Sequence, residues 1–348
     1  MKAAVLQAYG QFEWTEVPTP DCGPTQVLIK VSYAGICGSD LHVYKGEFDG
    51  RTPIPFIPGH EFAGTVAKVG ADVDHLKAGD LVVGDPIVWC GQCAACQLQH
   101  YPACTSLKLV GIDFDGGFAE YVVVEGAMVY AIPPGIDPKH AALVEVLSIG
   151  FHACNRAQVQ TGHMVAIWGG GRVGHCILQA ARTHTDQTIF LIDIVDERLA
   201  IAARSDEHVV AINALKEDPL SIILEQTSGR GVDVAFEAVG HANALEQTGE
   251  PIVGCIHCIR PAGVVCVLGL SDHAVPVLFK SLIWKEAHII TSRVSHGEFA
   301  ETIDALQRQT LKPEILITSI VPAFQVQATF DNVANSPQEN LKVLLDFT

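Results

Sequence analysis

The pattern of apolar and polar positions divides the chain into two kinds of text. From Ala3 to about Val124, short β-rich runs are broken by Gly, Pro and Asp. Gln26 to Ala34, Phe62 to Val69 and Gly117 to Val124 have strand composition, and Lys77-Ala78-Gly79-Asp80 is turn chemistry between two of them. This predicts a β-barrel-like first domain. After about Gly150 the rhythm changes. Met164 to Trp168 is an apolar run suited to a buried parallel strand, His175 to Arg182 is a helical stretch with Ile177, Leu178 and Ala181 on one face, and Thr188 to Ile192 is a second strand ending in Asp193. Further strands at Val209–Ile212, Val232–Glu237 and Val264–Leu268 alternate with helical stretches such as Pro219–Thr227, the βαβ rhythm of a doubly wound parallel sheet. A helix near Phe299–Gln307 and strands at Ile315–Val321 and Leu341–Phe347 close the pattern, so the fold class is α/β.

Size and charge narrow the partners. A chain of 348 residues fits two domains, and about half of it is hydrophobic, enough to fold without disulfide staples. The formal charge is −17, from 39 acidic and 22 basic residues, with no block of Lys or Arg. Nucleic acid and anionic membranes would be repelled, so neither is an expected partner. The first residues, Met1 to Gln7, have too short an apolar run for a signal peptide, and no later run approaches the ~20 apolar residues of a membrane span. A soluble, cytoplasmic protein is expected. The eleven cysteines are odd in number and four are tightly clustered, which favours reduced thiols, some holding metal.

That cluster is Cys90-x-x-Cys93-x-x-Cys96 followed by Cys104. Four thiolates at these spacings can close a tetrahedron around zinc with no open position, as a structural site requires. An iron–sulfur cluster is the competing reading; a zinc ribbon reading nucleic acid is disfavoured by the acidic charge. Cys255-x-x-Cys258 is read as packing.

A second group has the inventory of an open, catalytic zinc site. Gly35-Ile36-Cys37-Gly38-Ser39-Asp40-Leu41-His42 and Pro58-Gly59-His60-Glu61 supply a thiolate, an imidazole and a carboxylate, with a hydroxyl and a second imidazole alongside.

Between the first two strands of the second domain lies Gly169-Gly170-Gly171-Arg172-Val173-Gly174. Gly-x-Gly-x-x-Gly between a strand and a helix, with an acid at the tip of the next strand, is a dinucleotide fingerprint. Gly169 makes the turn, Gly171 lets the backbone approach a pyrophosphate, Gly174 lets the helix pack against the sheet, and the helix N-terminus faces the phosphates. Asp193 would accept hydrogen bonds from a ribose 2′ hydroxyl and repel a 2′ phosphate, so NAD is expected rather than NADP. Arg172, Val173 and Arg198 complete the candidate cofactor set. Gly240 and Gly269 follow strand ends and are candidate contacts to the nicotinamide half, although strand-end glycines also serve as plain turns.

These motifs, with Gly116-Gly-Phe-Ala-Glu-Tyr121 and Glu145 in Val-Glu-Val-Leu-Ser-Ile-Gly-Phe-His-Ala, occur in the order found in the zinc-dependent medium-chain alcohol dehydrogenases. The chain resembles that family over essentially its whole length, in particular the sorbitol, threonine, butanediol and sugar-acid branches. The resemblance implies a GroES-like catalytic domain of residues 1–150 and 290–348, with a structural zinc lobe at about 88–106, and an inserted Rossmann domain of residues 151–289. It also implies catalytic zinc on Cys37 and His60, with Glu61 or Glu145 as further ligands, and structural zinc on Cys90, Cys93, Cys96 and Cys104. Asp40 resembles the carboxylate that orients the histidine ligand. Ser39 and His42 match the family's proton relay, and Arg293 the arginine that reaches the substrate pocket in its polyol and sugar-acid branches. Dimers or tetramers joined through the cofactor domains are implied too.

Two departures stand out. Val146 follows Glu145 where relatives usually have proline, which opens the fourth coordination position to question. Thr183-His184-Thr185-Asp186 and Ser205-Asp206 replace the glycines that usually end the Rossmann helices; Asp tolerates left-handed backbone better than most residues, so the fold should survive. The expected activity is hydride transfer from a secondary hydroxyl of a polyol or sugar acid to NAD. Threonine, butanediol or simple alcohols are alternative substrates, and a non-catalytic NAD-binding redox sensor is the alternative of another class.

Overall fold

A computed structural model describes every residue except 241–248, 272–273 and 337–339. The chain forms two compact units. Met1–Glu145, Phe299–Gln309 and Leu316–Thr348 make the first, and Val146–Glu298 with Thr310–Ile315 the second. In chain order the first unit holds β1 (Lys2–Ala8), β2 (Gln11–Glu16), β3 (Gln26–Gly35), α1 (Gly38–Tyr44), β4 (Glu61–Val69), β5 (Leu81–Gly84), β6 (Ile87–Val88), α2 (Ala94–Gln97), β7 (Lys108–Leu109), β8 (Tyr121–Glu125), β9 (Val129–Ala131) and α3 (Pro138–Ala141). Helix α4 (Val144–Ala157) carries the chain into the second unit. There follow β10 (Val165–Trp168), α5 (Arg172–His184), β11 (Ile189–Asp193), α6 (Asp196–Ser205), β12 (Val209–Asn213), α7 (Pro219–Gln226), β13 (Val232–Glu237), β14 (Ile259–Val267) and β15 (His288–Thr291). Strands β16 (Ile317–Pro322) and β17 (Lys342–Asp346) belong to the first unit again.

The first unit's main sheet runs β16-β17-β3-β4-β5-β9, with β8 also paired to β3. Its centre is β3, where Val27, Ile29 and Val31 point inward and Lys30 outward, the period-two alternation that makes a strand bury one face. The antiparallel register sets Gly35 opposite Glu61 on one side and Leu344 on the other. Strand β8 begins at Tyr121, not at Gly117 as the composition suggested. The amides of Gly116, Gly117 and Phe118 are instead spent on the carbonyls of Ile57, Gly59 and Pro58, at 2.7, 2.7 and 3.0 Å. That clamp holds the loop leading to His60. Gly59 has φ +100°, and a Cβ there would meet the Phe118 ring at 2.4 Å.

The second unit is a parallel six-stranded sheet in the order β12-β11-β10-β13-β14-β15. Numbered within the unit this is 3-2-1-4-5-6, the doubly wound arrangement whose strand order reverses between β10 and β13. β10, β11 and β13 are buried along their whole length, as strands covered on both faces must be. Helix α5 extends beyond the predicted stretch at both ends. It and α6 stop without any left-handed residue: their caps, Thr185 at φ −133° and Asp206 at φ −160°, are extended, so the missing glycines cost nothing here.

Candidate metal centre and dinucleotide cleft

Strand β3 ends at Gly35 and the chain turns into α1 with Cys37 as its N-cap. Asp40, three residues into the turn, reaches back so that its Oδ2 accepts the Cys37 N–H at 2.7 Å, closing a capping box. Its other oxygen lies 3.3 Å from His60 Nδ1, with both side chains buried. One carboxylate thus bonds the backbone of one donor and stands at ion-pair distance from the ring of the other. Ser39 Oγ is 3.3 Å from His60 Nε2. The ligand atoms of Cys37, His60 and Glu61 all lie within 4.8 Å of one another.

Glu61 is buried opposite Gly35, where a Cβ would come within 2.3 Å of its Oε2. Glycine is what leaves room for the carboxylate. Both of its oxygens accept from Lys342 Nζ, at 2.7 and 2.6 Å, and the lysine is buried too. Glu145 sits in the first turn of α4, 6% exposed. Burial foremost, with the negative charges of Glu61 and Cys37, holds its carboxyl well above the usual range, and the charges of His60 and Lys342 oppose this without prevailing. Val146 is buried in the same helical turn. The backbone there is helical with valine as it could be with proline, whose missing N–H is free in a first turn anyway.

Burial pushes the His60 imidazole down, but Asp40 and Cys37 outweigh it and the net direction is well up. Burial and Glu61 push the Cys37 thiol up, yet His60 and Lys342 bring it below its ordinary value. Thiolate, Asp40 and Glu61 together exceed the charge of Lys342. A divalent cation among Cys37, His60 and Glu61 would relieve that excess, so the donor set fits zinc.

In the lobe, Cys90, Cys93, Cys96 and Cys104 bring their sulfurs within 4.8 Å of one another. Cys90–Cys96 is 3.9 Å and Cys93–Cys96 3.5 Å. A tetrahedron with ~2.3 Å zinc–sulfur bonds has edges of about 3.8 Å. The spacing leaves room for a single ion and not for a multi-iron cluster. Hydrogen bonds from the Cys96 and Thr105 amides lead in lowering the Cys93 thiol to about 5, while burial and the neighbouring sulfur push Cys96 up to about 12. Backbone amides thus favour a thiolate in the lobe, the form a metal needs. Cys255 and Cys258, by contrast, are fully buried, with burial pushing both thiols up.

In the second unit a cleft of about 500 Å³ is lined by Gly169, Gly171, Asp193, Arg198 and their neighbours, at the carboxyl ends of β10 and β11. Gly169 has φ +103°, Gly171 is the N-cap of α5, and a Cβ on Gly174 would fall 1.7 Å from the Gly169 carbonyl oxygen. The last glycine is therefore what lets helix and loop touch. Arg172 and Val173 are half-buried in the first turn of α5. Asp193 Oδ2 accepts the Gly170 N–H at 2.6 Å and Oδ1 accepts the N–H groups of Ile194 and Val195, while Arg198 Nη1 stands 3.6 Å away. Its carboxylate thus braces the glycine loop from the neighbouring strand. Gly240 and Gly269 pack on each other: a Cβ on Gly269 would lie 2.2 Å from Gly240 N. Arg293 is exposed, in the loop after β15. A larger hollow of about 750 Å³, lined by Arg182, His184, Asp206 and Lys312 among others, lies at the opposite ends of the strands and holds none of the sequence-predicted residues.

His42 is exposed on the last turn of α1, and its Nδ1 is bonded to Glu47. Lys342 and Glu47 were not found from sequence. Lys342 is 281 residues from its partner, and nothing local marks it.

Comparison with known proteins agrees with this picture. Residues 23–134 match the alcohol dehydrogenase GroES-like domain family and residues 173–308 the zinc-binding dehydrogenase family. The sorbitol dehydrogenase of Bacillus subtilis is 33% identical over 99% of this chain and 97% of its own length. A zinc-binding dehydrogenase of Sinorhizobium meliloti bound to NADP superposes with a TM-score of 0.89 at 28% identity, covering 99% of this chain and 98% of that one. An alcohol dehydrogenase of Escherichia coli CFT073 complexed with NADH gives 0.88 at 28% identity, covering 100% and 99%. With both family signatures, a relative matched end to end, and the donor sets in place, the chain belongs to the zinc-type medium-chain alcohol dehydrogenases, a family of oxidoreductases.

Proposed function

We propose that the protein is a zinc- and NAD-dependent dehydrogenase that oxidises a secondary hydroxyl of a polyol or sugar acid. The observation that carries this reading is the Cys37, His60 and Glu61 set, with His60 and Glu61 buried and Asp40 beside the first two. A zinc ion held there would supply Lewis acidity, making a substrate hydroxyl acidic near neutral pH, and NAD would take the hydride. Asp40 holds the His60 ring direction. Lys342 neutralises Glu61, so Cys37 and His60 are the firm donors and the third position is shared among Glu61, Glu145 and water. Ser39, beside His60, receives the substrate proton and His42 passes it to solvent.

Support for NAD comes from Asp193, a carboxylate at the tip of β11 that lines the cleft and would repel a 2′ phosphate; the NADP-bound neighbour makes this a point to test. Arg293 is assigned to a substrate carboxylate or hydroxyl pair, where a guanidinium fork is the suited donor. A second copy would pair through the cofactor unit, where β15 is an unpaired sheet edge and Leu278, Phe279, Ile283 and Trp284 are each more than half exposed. Zinc-replete protein assayed with NAD across polyols, aldonates, threonine, butanediol and simple alcohols decides the matter. Turnover of simple alcohols alone would overturn the substrate assignment, and absence of any turnover, with metal only in the cysteine lobe, would favour the redox-sensor alternative.

A further inference from the structure

The end of α1 has a geometry of its own. Lys45 caps the helix, Gly46 follows with φ +79°, and the chain folds back so that the Gly46 N–H bonds the Val43 carbonyl at 3.0 Å and the Glu47 N–H bonds the His42 carbonyl at 2.9 Å. This is the left-handed glycine cap, in which the residue after the glycine is brought against the residue five positions earlier, usually as a hydrophobic contact. Here those two residues are Glu47 and His42, and the contact is a hydrogen bond between Oε2 and Nδ1. Phe48 stacks on the His42 ring, with centroids 5.9 Å apart. Arg51 lies over the Phe48 ring and is committed to Asp113 through two hydrogen bonds.

We propose that Glu47 is a positioning residue for proton transfer through His42. The inference rests on the relay reading above. An ionised carboxylate only accepts hydrogen bonds, so Nδ1 carries the hydrogen and Nε2 keeps the lone pair. A proton arriving from the substrate side then lands on Nε2, and the resulting imidazolium is stabilised by the carboxylate until the Nε2 proton passes to solvent water and the ring returns to its starting tautomer. One proton enters and one leaves. The cap dictates the pairing: without the glycine fold-back, a residue five positions on would lie on the far face of the helix.

The test compares Glu47→Ala, Glu47→Asp and His42→Gln in zinc-loaded enzyme. Long-range proton–nitrogen spectra of histidine-labelled protein read the tautomer directly and need no substrate. His42 should be the Nδ1–H form in the parent and in Glu47→Asp, and should revert toward the Nε2–H form in Glu47→Ala. With sorbitol and NAD, Glu47→Ala should lower kcat about two- to fivefold, the range of an exposed charge pair, with KM for NAD and zinc content unchanged. His42→Gln should lose at least as much, and the double variant no more than His42→Gln alone. An Nε2–H tautomer in the parent overturns the proposal whatever the kinetics. A slow His42→Gln with an unaltered Glu47→Ala refutes the role of Glu47 and leaves the relay standing, whereas an unimpaired His42→Gln refutes the relay itself and the proposal with it. Loss of zinc or of cofactor binding in Glu47→Ala would make the pair structural.

Discussion

Replacing Lys342 with methionine isolates the least expected feature of the metal centre. Methionine keeps the length of the stem and removes the ammonium, leaving the Glu61 carboxylate without its two hydrogen bonds of 2.7 and 2.6 Å in a place where neither side chain reaches solvent. At an effective dielectric near 20, charges about 3 Å apart attract by roughly 5–6 kcal/mol. Breaking a buried pair by removing one member typically costs about 3–5 kcal/mol. For a chain of 348 residues that is on the order of 4–7 °C in Tm. The measurement is thermal and urea unfolding of chelator-treated protein, parent and variant. Adding Glu61→Gln to the variant should recover most of the loss, giving a coupling energy of at least about 2 kcal/mol. In Lys342→Met, zinc is the remaining countercharge for Glu61, so zinc should raise Tm more than it does in the parent. A loss below about 1 kcal/mol, as for exposed pairs, or strictly additive single variants would refute the reasoning.

Asp40→Asn should keep a hydrogen-bonding side chain yet weaken zinc at Cys37 and His60 about 10- to 100-fold, read by competition with a chromogenic chelator; unchanged affinity would remove Asp40 from the site. His175 is buried with its ring tied to the Arg198 carbonyl, and burial lowers it to about 4 from an ordinary 6.5. The unfolded chain therefore binds a proton between those values that the folded one refuses, so its contribution is fully present above pH 6.5 and is lost as pH falls toward 4. The loss is about 3 kcal/mol, measurable as a slope in urea titrations that His175→Gln should flatten. Asp193→Ala should narrow the preference for NAD over NADP, read as the ratio of kcat/KM values, and an unchanged ratio would leave the carboxylate only its bracing of Gly170, Ile194 and Val195.

What could be read from sequence was what is encoded within a few residues. The cysteine lobe is legible because its spacing alone brings four sulfurs together, and the glycine fingerprint because each glycine answers a local steric demand, such as the 1.7 Å approach at Gly174. The doubly wound class followed from largely apolar strand runs alternating with helical stretches. Helix α1 escaped notice because Gly-Ser-Asp-Leu-His-Val-Tyr has the composition of a loop, and its helicity depends on the reciprocal cap between Cys37 and Asp40. Gly117 and Phe118 read as strand because their backbone bonds go to the His60 loop, which no periodicity reveals. Lys342 was invisible for a different reason: a lysine in an apolar strand carries no meaning until the sheet brings it to a carboxylate.

The position of that lysine also orders the events of biosynthesis. The four lobe cysteines lie within fifteen consecutive residues, Cys90 to Cys104, and can capture an ion while the rest of the polypeptide is still emerging from the ribosome. The other centre cannot be finished so early. Its carboxylate waits, uncompensated, for β17 to be translated and inserted between β3 and β16. Closure of the cysteine lobe is thus local, whereas the pairing of Glu61 with Lys342 is one of the most distant in the sheet, so a nascent chain stalled before residue 342 should already bring the four lobe sulfurs together while its Glu61 carboxylate still lacks the lysine.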